Sequence, residues 1–313
     1  MLRDTGLVYF NEVARAGSVR GAAERLHVSP SAISRMIAKL EHRFQAELFE
    51  RQVKGMRMTA AGRILLQHIG GIVSQLGDAQ HQIDAIKGLR RGEVALHCME
   101  GIVQQIVPNF LTAFHRQHPN VTFSVNTGTA DQTTEALLGD LVDIGITFNI
   151  QKHAGIEIIR EIRQPLYALA APAHPLATRR RVSLRELGRF PMAMVDPNFG
   201  ARQILERALR AKRIEASVLL TTNSLALAYG MVLTGSAVTV SSPFAARRAL
   251  SAGELVALPV SDKVLSTSTV TVCKRKGRRL SPAAKELVEF IDREIDATVA
   301  ALGPALKGRA SRD

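Results

Sequence analysis

Near the N-terminus, apolar side chains recur at intervals of three and four in short blocks separated by turn residues. Leu7, Phe10, Val13 and Ala14 share one face of a helix over 5–16, which Gly17 stops. Ser18 is placed to cap a second helix over 19–26, with Ala22, Ala23 and Leu26 turned inward. After a turn at His27-Val28, Ser29-Pro30 opens a third helix. Serine is a favoured cap, and proline in the first turn forfeits no hydrogen bond. On this helix Ile33, Met36, Ile37, Leu40 and Phe44 cluster on one side, while Ser31, Ser34, Arg35, Ala38 and His42 lie opposite. Two short helices across a tight turn form a helix-turn-helix. The opposite face is small, polar and basic, as a helix entering a major groove requires. A solvated helix face has the same pattern, so this helix alone leaves both open. The next segment favours the first. Lys54-Gly55 suits a tight turn between two short strands, and Arg51, Lys54 and Arg57 make that wing basic.

From 59 to 87 the pattern changes. Leu65, Ile69, Ile72, Leu76, Ala79, Ile83 and Ile86 are spaced alternately by four and three, the seam of a coiled coil. Gly62, Gly70, Gly71 and Gly77 weaken it as an isolated helix, so pairing with a second copy is expected. A charged hinge, Leu89-Arg90-Arg91-Gly92-Glu93, follows. Beyond it apolar blocks alternate between strand and helix character. Strands are expected at 94–98, 121–126, 143–147, 166–170, 191–195, 217–221, 237–241 and 268–273. Helices are expected at 102–116, 133–139, 202–211, 225–233 and 282–300, with a frayed tail over 303–313. Such alternation indicates an α/β domain with a mainly parallel sheet.

Composition removes several classes. The chain is 46% apolar and 22% charged, ordinary for a globular protein. No run of 18 apolar residues suggests a membrane span, and the first fifteen residues carry Arg3, Asp4, Glu12 and Arg15 without the apolar core of a signal peptide. Cys98 and Cys273 do not make a disulfide framework and are expected as inert buried thiols in a reducing cytoplasm. The net charge of +13 is spread along the chain, with ten Lys/Arg against six Asp/Glu in residues 1–60 and 27 against 20 in 92–313. It permits a nucleic-acid partner without locating one. No GxGxxG, P-loop, GxSxG or HExxH motif occurs, so no enzymatic activity, cofactor or metal is expected. His115 and His118 stand three apart but read as a helix end at His118-Pro119, and the basic run 274–279 as a solvated turn.

Over 10–59 these features come together in one ordered series. It includes Phe10-Asn11-Glu12-Val13-Ala14, Gly17-Ser18, Ala22-Ala23-Glu24-Arg25-Leu26, Val28-Ser29, Ala32-Ile33-Ser34-Arg35, Leu40-Glu41, Leu48-Phe49-Glu50-Arg51 and Met58-Thr59-Ala60-Ala61-Gly62. The series resembles the winged helix-turn-helix of LysR-type transcriptional regulators. Val19 departs from the family's usual Phe. Pro30-Ser31 stands where a Gln-Pro is common, removing a bidentate adenine reader. The remainder, with Gly92, Pro108, His118-Pro119, Gly128, Asp143, Pro172, His174-Pro175-Leu176 and Gly235, is similar to the family's effector-binding domain, itself akin to periplasmic solute-binding proteins.

The resemblance implies a winged helix-turn-helix over 1–60, a dimerising linker helix and hinge over 61–91, and a two-lobed α/β effector-binding domain over 92–313. Lobe I would hold 92–162 and 268–300, and lobe II 163–267. It implies a regulator that binds promoter DNA as a dimer or tetramer, responds to a small-molecule effector and is able to engage RNA polymerase, away from any membrane. Pro30, Ser31, Ser34 and Arg35 would face the major groove, Lys39 a phosphate, and Arg51, Lys54 and Arg57 the backbone. Family position places Met99, Glu100, Gly101, Thr127, Thr129, Thr147, Phe148, Asn198, Arg202, Asn223 and Ser224 around the effector. Glu100 stands where a Ser or Thr is usual, and Ala130 where a hydroxyl is common. A carboxylate there would attract a cationic group and repel an acid, unless Glu100 serves only the dipole of a helix N-terminus. Two other readings stay open: a DNA-binding protein with a vestigial cleft, and a solute-binding or enzymatic α/β protein with an added helical domain.

Overall fold

The computed structural model describes residues 5–52, 55–66, 68–69 and 92–307. Lys54 and the heptad seam beyond Ile69 lie outside the described residues. Helices α1 (Thr5–Ala16), α2 (Val19–Leu26) and α3 (Pro30–Phe44) precede an antiparallel wing, β1 (Phe49–Gln52) and β2 (Gly55–Met58). Each start follows local chemistry: the Ser18 hydroxyl accepts from the Gly21 N–H, and the Ser29 hydroxyl from the Ala32 N–H. Phe10, Val13, Ala22, Ala23, Ile33, Ile37, Leu40, Leu48 and Phe49 form the core, with the Phe10 and Phe49 rings 5.0 Å apart. Phe44 is not part of it. It falls at the last residue of α3, where the chain turns through left-handed Gln45, and is 46% exposed.

Two motifs of the sequence join the wing to the helices. The Glu41 carboxylate accepts from the Leu48 and Phe49 N–H groups at 2.8 and 3.2 Å, tying α3 to the start of β1. Gly55, at φ +133°, lies so close to the α1–α2 turn that a Cβ would stand 2.5 Å from the Gly17 carbonyl oxygen, which accepts from the Met56 N–H. At Gly62, a Cβ would stand 2.2 Å from the Leu48 carbonyl oxygen. Backbone must move to admit it, so Gly62→Ala is expected to destabilise the N-terminal domain by about 1–3 kcal/mol. Chemical denaturation of the full chain checks this; a loss below about 0.5 kcal/mol contradicts it.

The C-terminal two-thirds runs β3 (Gly92–Cys98), α4 (Glu100–Val103), α5 (Val107–Gln117), β4 (Val121–Thr127), α6 (Ala130–Leu138), β5 (Ile144–Phe148) and β6 (Ile156–Arg163). It continues through β7 (Tyr167–Ala170), α7 (Leu184–Leu187), β8 (Met192–Val195), α8 (Gly200–Ala211), β9 (Val218–Thr222), α9 (Leu225–Leu233), β10 (Thr239–Ser241), α10 (Arg247–Ser251) and β11 (Val256–Pro259). The last elements are β12 (Thr269–Arg275) and α11 (Pro282–Lys307). One lobe is built on a five-stranded sheet of order β4-β3-β5-β12-β6, the other on β10-β7-β11 and β8-β9. At the crossing, the Gln164 N–H donates to the Ser268 carbonyl, and the Ser268 hydroxyl donates back to the Gln164 carbonyl at 2.7 Å.

Several expectations are corrected. The sheets are mixed, not mainly parallel: β12 is antiparallel to β5 and β6, and β7 to β10 and β11. The chain leaves the first lobe along β6 and returns beside it along β12, so those strands must oppose. The single helix expected over 102–116 is two. Pro108, without an N–H and clashing with the preceding turn, instead occupies the first turn of α5. Strand β6 was not foreseen because Glu157, Arg160, Glu161 and Arg163 mask its period at a sheet edge. The closing helix extends to Lys307, through the start of the expected tail.

Candidate ligand cleft and nucleic-acid interface

On α3, Pro30, Ser31, Arg35 and Lys39 are exposed and Ser34 is half-buried, opposite Ile33, Ile37 and Leu40 in the core. Among the described residues neither Arg35 nor Lys39 has an ion-pair partner. Arg57 is exposed on β2, paired in register with Glu50 of β1, and Arg51 lies on β1 opposite Met56. The small caps and the proline keep the N-terminal end of α3 free of bulky side chains, so a surface can approach it closely.

Between the lobes lies a cavity of about 420 Å³. Strand ends and helix starts from both lobes form its wall. Met99, Glu100 and Gly101 follow β3; Thr127, Gly128 and Thr129 follow β4; Thr147 and Phe148 end β5. From the other lobe come Val195, Asp196, Asn198, Phe199, Gly200 and Ala201 between β8 and α8, and Asn223 and Leu225 before and in α9. Two of the residues expected at the effector are elsewhere. The Arg202 guanidinium donates to Glu206 and to the Val195 carbonyl, which holds it along α8. Ser224 is used as the cap of α9, accepting from the Leu227 N–H. Neither lines the cavity.

Glu100 behaves differently from an open side chain. Its carboxylate accepts from the Leu225 N–H at 3.3 Å, reaching from one lobe to the first turn of α9 in the other. It sits beside Tyr229, whose hydroxyl is 2.7 Å from the Ser241 hydroxyl. Burial pushes that phenol above its ordinary range, and the nearby Glu100 charge adds in the same direction. Thr147 is fully buried on the cavity wall, and its hydroxyl has no hydrogen-bond partner among the described residues. Thr129 and Gln132 hold each other in a capping box at the start of α6. His97, next to Gly128, meets the Thr133 hydroxyl at 2.8 Å, and burial lowers its pKa. The Thr133 hydroxyl donates to the Thr129 carbonyl, so His97 Nδ1 is the donor to Thr133.

Sequence reasoning missed Asp196, Gln132, Thr239, Ser241 and Ser242 on this wall. Asp196-Pro197 directly follows a buried strand, a signal for a strand-end turn facing a cleft. Thr239, Ser241 and Ser242 lie on or after the short strand β10 and carried no such signal. Elsewhere, the basic run 274–279 is a solvated turn only at Lys276-Gly277, and three of its cations are held by acids. Arg275 and Arg278 bind the buried Asp140, Arg278 also binds Asp143, and Lys274 pairs with Glu157. His118 pairs with Glu286 at 2.9 Å. Cys98 and Cys273 are buried, which pushes both thiols up to about 12. Among the described residues there is no group of three or more potential metal ligands.

Residues 5–63 match the family model of the bacterial regulatory helix-turn-helix protein, lysR family, and residues 87–296 match the LysR substrate binding domain. The chain belongs to the LysR family. It is a DNA-binding transcriptional regulator with a substrate-binding domain. It is 28% identical over 284 residues to the RuBisCO operon transcriptional regulator of Allochromatium vinosum, spanning 90% of this chain and 93% of that protein. It is also 28% identical over 289 residues to the transcriptional dual regulator GltC of Bacillus subtilis, spanning 91% and 95%. Its fold is similar to that of full-length OxyR from Pseudomonas aeruginosa, with a TM-score of 0.69 at 20% identity over 94% of both chains. CbnR, whose crystal structure holds its target DNA, gives a TM-score of 0.56 at 23% identity over 93% of this chain and 99% of that one. In this LysR-family chain the cavity lies wholly within the substrate-binding match, and α3 with its wing lies within the helix-turn-helix match. No helix among the described residues is long and apolar enough to cross a membrane.

Proposed function

We propose that this regulator reads promoter DNA through one face of α3 and reports occupancy of the interlobe cavity through the arrangement of its protomers. Pro30, Ser31, Ser34 and Arg35 face base edges, Lys39 a phosphate, and Arg51, Lys54 and Arg57 hold the wing on the backbone. The observation that carries this reading is the exposure of Arg35 and Lys39, without an ion-pair partner among the described residues, on the same helix whose other side is sealed under Phe10 and Val13. Residues 1–60 act as the DNA-binding unit and 61–91 as linker. The two lobes of 92–313, bounded at 162–163 and 267–268, enclose the effector. On this reading the chain works as a homodimer through the linker, assembling further to a tetramer, on cytoplasmic DNA alongside RNA polymerase, and catalyses no reaction. Effector binding shifts the protomer arrangement only as far as its affinity differs between arrangements.

Fluorescence anisotropy of the full chain on a duplex from upstream of its own coding sequence tests the interface. Log affinity is expected to fall steeply and linearly with log salt, by about 0.9 per phosphate contact. Arg57→Ala is expected to flatten that slope by about one contact, with little change in sequence preference. A slope near zero in the parent, or one that Arg57→Ala leaves unchanged, contradicts the wing's role.

A further inference from the structure

The cavity wall has an unusual charge balance for a chain of net charge +13. Among the described residues its charged members are Glu100 from one lobe and Asp196 from the other, and no Lys, Arg or His lines it. Glu100 already supplies a carboxylate to the first turn of α9, occupying that helix end as a bound acid would. Asp196 makes no side-chain hydrogen bond and no ion pair among the described residues. A second helix end at the wall has no side-chain cap among the described residues. Phe199 stands at the cap position of the twelve-residue α8 and makes no side-chain hydrogen bond, while Gly200 and Ala201 line the cavity. The buried Thr147 hydroxyl, unpartnered among the described residues, is a further polar group awaiting a ligand atom.

We propose that the effector is a small amino-acid-like zwitterion, its protonated amine between Glu100 and Asp196 and its carboxylate at the N-terminus of α8. This rests on the reading of the cavity as the effector site and names the chemistry that site selects. An acid alone has one open helix end but meets two fixed negative charges. An amine alone satisfies the two carboxylates but leaves the α8 end unused. A molecule with both groups meets the two carboxylates and the α8 end together. Because the carboxylates belong to opposite lobes, an ammonium between them also draws the lobes together, which couples ligand charge to closure.

Thermal unfolding of the full chain is measured with three matched sets of probes at about 10 mM. They are valine, isobutylamine and 3-methylbutanoate; phenylalanine, phenethylamine and 3-phenylpropanoate; and 5-aminopentanoate, butylamine and pentanoate. At least one zwitterion is expected to raise Tm by about 3 °C or more, its amine less, and its deaminated acid not at all. Titration of that zwitterion into Asp196→Asn and Glu100→Gln is expected to show affinity lowered about tenfold or more. Glutamine keeps an oxygen for the Leu225 N–H, so the second variant removes charge without removing the interlobe bond. Ala130→Phe, which fills the wall at the start of α6, is expected to abolish the shift. Stabilisation by an acid alone, unchanged in both charge variants but lost in Ala130→Phe, keeps the effector cavity and overturns the zwitterion. A shift that survives Ala130→Phe overturns the cavity reading itself. No shift with any amine-bearing probe overturns the amino-acid-like class.

Discussion

An Arg278→Ala chain is expected to unfold about 10 °C below the parent, a loss of roughly 3–5 kcal/mol. The Arg278 side chain is 6% exposed, and its guanidinium binds the Asp140 carboxylate at 2.7 Å and also Asp143. Asp140 is 1% exposed at its side chain and takes a second cation, Arg275, at 2.8 Å. The other oxygen of Asp143 accepts from the Ala95 N–H on β3 at 2.7 Å. Removing Arg278 therefore leaves two buried carboxylates with less compensation, at the point where the α6–β5 connection meets the end of β12. The cost comes mainly from the stranded charges. Arg278→Met combined with Asp140→Asn is accordingly expected to recover part of the loss. Differential scanning calorimetry of the three chains checks both statements, and a fall in Tm below about 2 °C for Arg278→Ala shows that the network contributes little.

Arg35→Ala is expected to weaken binding to the specific promoter duplex by about 10- to 100-fold, and to leave non-specific DNA nearly unaffected. Arg35 is exposed within the second turn of α3, with no competing ion pair among the described residues, so its guanidinium is available for a bidentate guanine contact. A phosphate contact would give the opposite signature: uniform weakening on all sequences and a shallower salt slope. Competition titrations with specific and scrambled duplexes separate the two. Equal losses on both move Arg35 from base reading to backbone anchoring and leave the small polar residues Ser31 and Ser34 as the readers.

The wing and the recognition helix illustrate how far local pattern reaches. The three helix boundaries follow from serine caps, a first-turn proline and the spacing of apolar residues, all within a few positions of one another. Leu40-Glu41 and Gly62 were visible as motif members, but what they do was not. Glu41 reaches seven and eight residues along the chain to fix β1, and Gly62 admits the Leu48 carbonyl. The closing helix and the main strands beyond the hinge were likewise legible from period. The charged edge strand β6 and the break before α5 were not: an edge position relaxes the apolar alternation, and a proline starts a new helix as readily as it ends one.

The sequence by itself determined the kind of protein this is, because the helix-turn-helix is specified by short-range rules that act residue by residue. The resemblance also pointed to the stretches 99–101, 127–129 and 147–148, which line the cavity. Tertiary structure alone decided the chemistry inside the cleft. Glu100 and Leu225 are 125 positions apart and meet only because two lobes close on each other. Arg202 is withdrawn from the cavity by Glu206 one helical turn away and by the Val195 carbonyl, while Asp196, on the cavity wall, has no ion-pair partner among the described residues. Charge composition along the chain is basic, yet the wall of the cavity is acidic, because long-range packing selects which few side chains of each lobe converge there.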